Sequence, residues 1–163
     1  MALDTFLKLK NIDGEAQDDK HKNSIDVLSW SWGMTQSGTT HLGSGSGSGK
    51  VNVQDIVFTK FVDKSTPAIL KHCCNGKHID SGKLTVRKAG GDSQVEYLVI
   101  EMENIIISSY QTGGSSDGLD RVQETIGLNF GKVKSTYQEQ TKDGGGGPKS
   151  GHGWDIPQNK EHS

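Results

Sequence analysis

The stretch from Ile25 to Gln36 constrains the fold of this chain more than any other. Apolar side chains alternate through it with period two, the pattern of a strand half buried in a sheet. Ile25 and Val27 share one side, and Leu28, Trp30, Trp32 and Met34 then continue on the other. A slip of one residue in that phase predicts a bulge near Val27 and Leu28. The face opposite the aromatic residues carries only Ser29, Ser31, Gly33 and Thr35. A strand open to bulk water ordinarily scatters Lys and Glu on its outer face. A run of small uncharged groups fits a surface under water, under another subunit or along a passage.

Composition narrows the choice. The 163 residues suffice for one domain with a single core. The formal charge is −2, from 18 basic and 20 acidic side chains, and no basic run interleaves with aromatics. Nucleic-acid binding therefore has no electrostatic footprint. Asp4, Lys8, Lys10, Asp13, Glu15, Asp18, Asp19 and Lys20 crowd the start of the chain. They exclude the apolar core of a signal peptide and any membrane insertion there. The expectation is a protein that begins in the cytoplasm and, if exported, is secreted without a signal peptide. The two cysteines, Cys73 and Cys74, are adjacent. Neighbours can bridge only through a strained ring, so reduced thiols are expected.

Alternation recurs along the chain. Leu3, Thr5, Leu7 and Leu9 mark a first strand, and residues 15–23 read as a charged loop. The run His41-Leu42-Gly43-Ser44-Gly45-Ser46-Gly47-Ser48-Gly49-Lys50 has almost no side chain to pack and reads as a flexible connection. Val51 and Val53 open a third strand that becomes apolar on both faces at Ile56, Val57, Phe58, Phe61 and Val62. One helix follows. Thr66 can cap it, Pro67 takes the first helical position, and Asn75-Gly76 supplies a left-handed stop. Its apolar stripe is Ile69, Leu70, Cys73 and Cys74.

Leu84 and Val86, the turn Gly90-Gly91-Asp92, and Val95, Tyr97 and Val99 then form a hairpin, with a further strand from Ile105 to Tyr110. The clearest strand runs from Val122 to Phe130. Its phase slips at Gly131 before Val133 and Tyr137 resume it, which predicts a second bulge. Residues 139–163 read as a glycine-rich tail whose one large apolar group, Trp154, should dock on the body. About seven strands and one helix place the chain in the all-β class, as a sandwich or a closed barrel.

Motifs of catalysis fail on their surroundings. Residues 43–50 resemble a phosphate loop, but Ser44 and Val51 stand where it needs glycine and a hydroxyl, and a strand follows instead of a helix. Gly114-Ser115-Ser116-Asp117-Gly118 matches G-x-S-x-G, yet strand alternation follows it where a nucleophile elbow requires a helix. His72, Cys73, Cys74 and His78 lack zinc spacing, and adjacent cysteines on a helix point about 100° apart. The expectation is no enzymatic activity, no cofactor and no metal.

Several blocks together carry a resemblance. Ile25-Asp26-Val27 with Ser29-Trp30-Ser31-Trp32-Gly33 is followed by a glycine loop into Gly49-Lys50-Val51, then Asp63-Lys64-Ser65-Thr66-Pro67 and Gly76-Lys77-His78. Leu84-Thr85-Val86-Arg87-Lys88-Ala89-Gly90-Gly91 and a closing Gly153-Trp154 complete the series. In this order and spacing they resemble Hcp, the haemolysin-coregulated protein family of type VI secretion systems. The resemblance implies a β-barrel with one helix, similar to phage tail-tube proteins, spanning residues 1–138 with the helix near 66–75 and followed by the tail 139–163. It implies a homo-hexamer whose rings stack into an inner tube, with sheath, spike and effector proteins as partners. It also implies effector binding in the ring, and no catalysis in a chain without a fused toxin domain.

On that basis Ser29, Ser31 and Thr35 are expected at the lumen against cargo, and His41 to Lys50 at contacts between subunits or rings. Two other readings make different predictions. A monomeric β-barrel that binds a small ligand would line its pocket with Trp30 and Trp32. An enzyme would use Ser116 or the Cys73-Cys74 pair.

Overall fold

The computed structural model describes residues 3–37, 50–88, 94–117 and 121–163. Among the described residues eleven strands and one helix follow in the order β1 (Leu3–Leu9), β2 (Ile25–Asp26), β3 (Ser29–Ser31), β4 (Met34–Thr35), β5 (Asn52–Val53), β6 (Ile56–Phe61), α1 (Thr66–Asn75), β7 (Ile79–Lys88), β8 (Leu98–Gly113), β9 (Gln123–Gln140), β10 (Gly146–Asp155) and β11 (Lys160–His162). The class is all-β, as the sequence predicts.

The main sheet runs β11-β10-β9-β8-β7-β1-β2, all neighbours antiparallel, with a branch β9-β6-β3. The first half of β9 pairs with β6 and its second half with β10, so two elements share one edge of the longest strand. The sheet rolls until β1 and β6 face each other across the chain between β2 and β3. There Val27 N–H donates to Thr5 C=O at 3.0 Å and Leu28 N–H to Thr59 C=O at 2.8 Å. The ladder is interrupted at that seam, so the barrel is rolled but not closed by continuous pairing.

The expected single strand through Ile25 to Gln36 is three short ones. β2 pairs with β1, β3 with β6, and β4 with β5 in a separate small sheet. The phase slip at Val27 and Leu28 is therefore a change of partner, not a bulge. β5 and β6, expected as one strand, are likewise separate. In the other direction, the apolar runs around Val99 and Ile105 are one strand, β8, and β9 continues through Gly131 to Val133 as expected. The slip at Gly131 is real. Inward positions change from Ile126, Leu128 and Phe130 to Val133 on β9, and from Ile105 and Ile107 to Met102 and Ile100 on β8. Both strands shift together opposite Asn104, whose φ is +57°, so the register is kept. The register break lies elsewhere, at Ser108, an extra residue of β8 between Ile107 and Ser109.

These inward residues join Leu7, Leu9, Ile25, Ile56, Phe58 and Leu84 in one core. Phe6 is buried as well, because the outer side of β1 is covered there. The His21 ring stacks on it at 4.5 Å, and the Arg87 guanidinium lies 5.1 Å from its centre. α1 lies against β8 with Ile69 fully buried and Cys73 partly so, whereas Leu70 and Cys74 are exposed. The stripe is thus narrower than the sequence predicts. Ser65, not Thr66, is the N-cap, with no side-chain cap bond, and Gly76 at φ +66° closes the helix as expected. Residues of the glycine-rich tail form β10 and β11, and Trp154 packs on the core.

Candidate assembly and cargo-facing surface

The side chains of β3 that point away from the core are Ser29 and Ser31, both exposed. Cross-strand register extends them into two rows over four strands. Ser31 faces Val57, which faces Gly127, which faces Ser109. Ser29 faces Thr59, then Thr125, then Gln111. The Ser29 and Thr59 hydroxyls are 2.6 Å apart. Gly127 makes room for the bulge beside it: a Cβ there would collide with the Ser109 hydroxyl and stand 3.0 Å from that of Ser108, so both side chains would have to turn away. At the end of the rows Asp55 accepts from Ser108 Oγ at 2.6 Å and from Asn129 Nδ2 at 2.8 Å.

Of the residues expected at a lumen, Ser29 and Ser31 therefore belong to one broad polar face, while Thr35 lies on the separate β4–β5 sheet. Of the expected contact loop, only Lys50 is described, and it is exposed. His41 to Gly49 lie outside the described residues.

The outer surface elsewhere has a different chemistry. Along β1, β7, β8 and β9, Lys8 faces Lys83, Lys83 faces Glu101, and Glu101 faces Lys134. Lys132 Nζ stands 3.9 Å from Glu103 and 3.8 Å from Asp155. Charge is thus concentrated on one part of the sheet and absent from the Ser/Thr rows.

Two buried ionic groups hold this arrangement in place, and sequence reasoning assigned neither. Lys60 on β6 is fully buried, 2.7 Å from Glu124 of β9 and 2.9 Å from Asp63. Thr66 Oγ1 donates to Glu124 at 3.0 Å, and the Tyr110 hydroxyl of β8 donates to the same carboxylate. Burial and that bond push the Tyr110 phenol up to about 12. The cluster fastens the start of α1 to the inner side of the strands that carry the polar face. On β7, Arg87 binds Asp18 through two bonds of 2.9 and 2.7 Å and Asp4 at 3.0 Å. The hydrogen bonds from Arg87 hold the Asp18 carboxyl down at about 2. In the run Ile56 to Phe61 the one lysine falls in phase with the inward Ile56 and Phe58. A charged residue at an inward position of an alternating strand is the signal that would have found it.

Residues proposed for other chemistry are not brought together. Ser116 is exposed in a turn, and the next element is a strand. His72 Nδ1 bonds the Ala68 carbonyl, and His78 pairs with Asn104. Among the described residues no three His, Cys, Asp or Glu side chains gather as metal ligands do. A groove of about 510 Å³ is lined by Trp32, Met34, Val53, Val133 and Trp154 among others. Trp30 is not part of it and packs on the core.

Similarity to known proteins agrees with this geometry. The family model described as "Type VI secretion system effector, Hcp" matches residues 6–137. Protein hcp1 of Pseudomonas aeruginosa is 53% identical over 161 residues, 98% of each chain. The crystal structure of Hcp1 from Salmonella typhimurium is 40% identical and superposes at a TM-score of 0.83, over 99% of this chain and all of that one. The structure of another type six secretion system protein, 32% identical, superposes at 0.92 with the same coverage. The chain belongs to the Hcp family of the type VI secretion system.

Proposed function

We propose that this protein is the structural subunit of a type VI secretion tube. Six copies close into a ring, rings stack into an inner tube, and effector proteins ride inside before the tube is expelled with its cargo. Sheath and spike proteins are its partners in the machine, and no residue accelerates a reaction. The protein stands in the cytoplasm until firing and then leaves without a signal peptide.

One observation carries the reading beyond family membership: the segregation of charge over the outer surface. A passage for folded cargo works best with an inner wall that is hydrated and weakly adhesive. The rows Ser31-Val57-Gly127-Ser109 and Ser29-Thr59-Thr125-Gln111 have that chemistry. Ring closure requires two different surfaces on each subunit, a heterologous contact repeated by rotation. The exposed ends of the sheet supply it, and the glycine and serine composition of His41 to Lys50 suits the same task.

The test is the native mass of the purified protein, measured by light scattering after gel filtration. A mass of about six times 17.6 kDa is expected. A monomer at micromolar concentration would count against the ring and favour the small-ligand barrel, for which tryptophan fluorescence would change on ligand binding.

A further inference from the structure

The rows of the polar face are uncharged, and two charges stand at opposite ends of it. Among the described residues, Asp55 lies immediately before β6 at one end, and at the other the Arg121 guanidinium lies 4.1 Å from the ring centre of Phe61. The buried pair Lys60 and Glu124 is turned inward and neutralised. Asp55 is also held in place. Ser108, the extra residue of the β8 bulge, donates to one carboxylate oxygen at 2.6 Å, and Asn129 of β9 donates to the other at 2.8 Å. Both donors are neutral, so the negative charge stays uncompensated, and each oxygen keeps a lone pair for a further donor. The bulge places Ser108 beside Gly127, so residues of β8 and β9 cooperate to fix one carboxylate at the margin of the neutral rows.

We infer that Asp55 makes this face selective for cargo that presents Lys or Arg, and adverse to cargo that presents an acidic patch. This rests on the reading of the face as the cargo surface. A cationic side chain both supplies the missing donors and cancels the charge, whereas a carboxylate would add repulsion at the Asp55 end of the face, away from Arg121 at the other end. A single exposed ion pair changes affinity about two- to fivefold. In a closed ring the carboxylate recurs once per subunit, so the weak contacts add over a cargo that touches several copies.

The test uses assembled rings and two labelled peptides of equal length, a Lys-Ser repeat and a Glu-Ser repeat, with binding followed by fluorescence anisotropy. Wild-type rings should prefer the cationic peptide. Asp55→Asn, which keeps the shape and an acceptor oxygen, should lower the ratio of the two affinities about fivefold. Asp55→Glu should retain the preference, which a merely bulge-pinning role would not predict. Ser31→Gln, which adds bulk to the face, should weaken binding of both peptides. Loss of binding in Ser31→Gln with an unchanged ratio in Asp55→Asn would overturn the charge selection and leave the face as the cargo surface. Binding unchanged in both variants would remove that surface, and the inference with it.

Discussion

At the scale of single residues the two buried cations have opposite designs. Lys60 is sealed, with Glu124, Asp63, Thr66 and Tyr110 around it. Such a cluster is strongly destabilised by loss of one member, because the other charge is left buried and alone. Arg87 is buried at its head, but its partner Asp18 is reached from the surface, with 23% of the side chain exposed. Its contribution can therefore be titrated. The Asp18 carboxyl lies at about 2 in the folded protein against 3.8 for the free group, so the unfolded chain takes up the proton first. The stabilisation is complete above about pH 4 and is lost as pH falls toward 2. The gap in urea midpoint between the wild-type protein and Asp18→Asn should accordingly stay constant from neutral pH to about 5 and narrow below 4. A gap independent of pH down to 2 would show that the Arg87 bonds do not set the behaviour of Asp18. Asp18 was legible only as one charge in a charged loop, because its partner lies on a strand far along the chain.

At the scale of elements, alternation located the inward residues of β6 and β9 but neither Phe6, Ile100 and Met102, which are buried, nor the exposure of Leu3, Leu28 and Met34, nor the partners of each strand. Trp30 and Trp32 do face inward, and Ser29 and Ser31 outward, as the sequence predicts. The breaks at Val27-Leu28 and at Gly33 had no readable cause, because a phase slip looks the same whether a strand bulges or leaves one neighbour for another. The reverse error leaves Val99 and Ile105 unjoined, since Asn104 interrupts the pattern of β8, and the bulge expected at Gly131 is a phase change with the register kept. The tail is the clearest case of tertiary override. Its glycines weaken a strand locally, yet β10 forms because the second half of β9 offers an open edge and Trp154 a core contact. Trp154→Ala should thus cost about 2–3 kcal/mol in unfolding free energy. It should also speed hydrogen exchange at the β9 amides from Lys132 to Gln138 while those paired with β8 alone remain protected. Uniform acceleration along β9 would mean that the indole supports the whole core and not the β10 edge.

At the scale of the whole molecule the seam between β1 and β6 separates what the subunit can do alone from what an assembly adds. The roll is completed by two backbone bonds from Val27 and Leu28, not by a ladder, so the closed core does not depend on a neighbour. The proposed ring closure and stacking would then draw on surface the subunit leaves uncommitted. The loop of His41 to Lys50 suits that task by composition: a Gly/Ser segment has little to gain by folding on its own body and pays its ordering entropy only when a partner holds it. Because the described elements that flank it, β4 and β5, lie outside the main sheet, removing Gly43 to Ser48 should spare the core. Circular dichroism, thermal midpoint and ring mass of that deletion should match the wild-type protein, while electron microscopy shows fewer and shorter stacks. Stacks of normal length and number would move the contact to another surface, and a deletion that arrives as a folded monomer would assign the loop to closure within the ring instead of contact between rings.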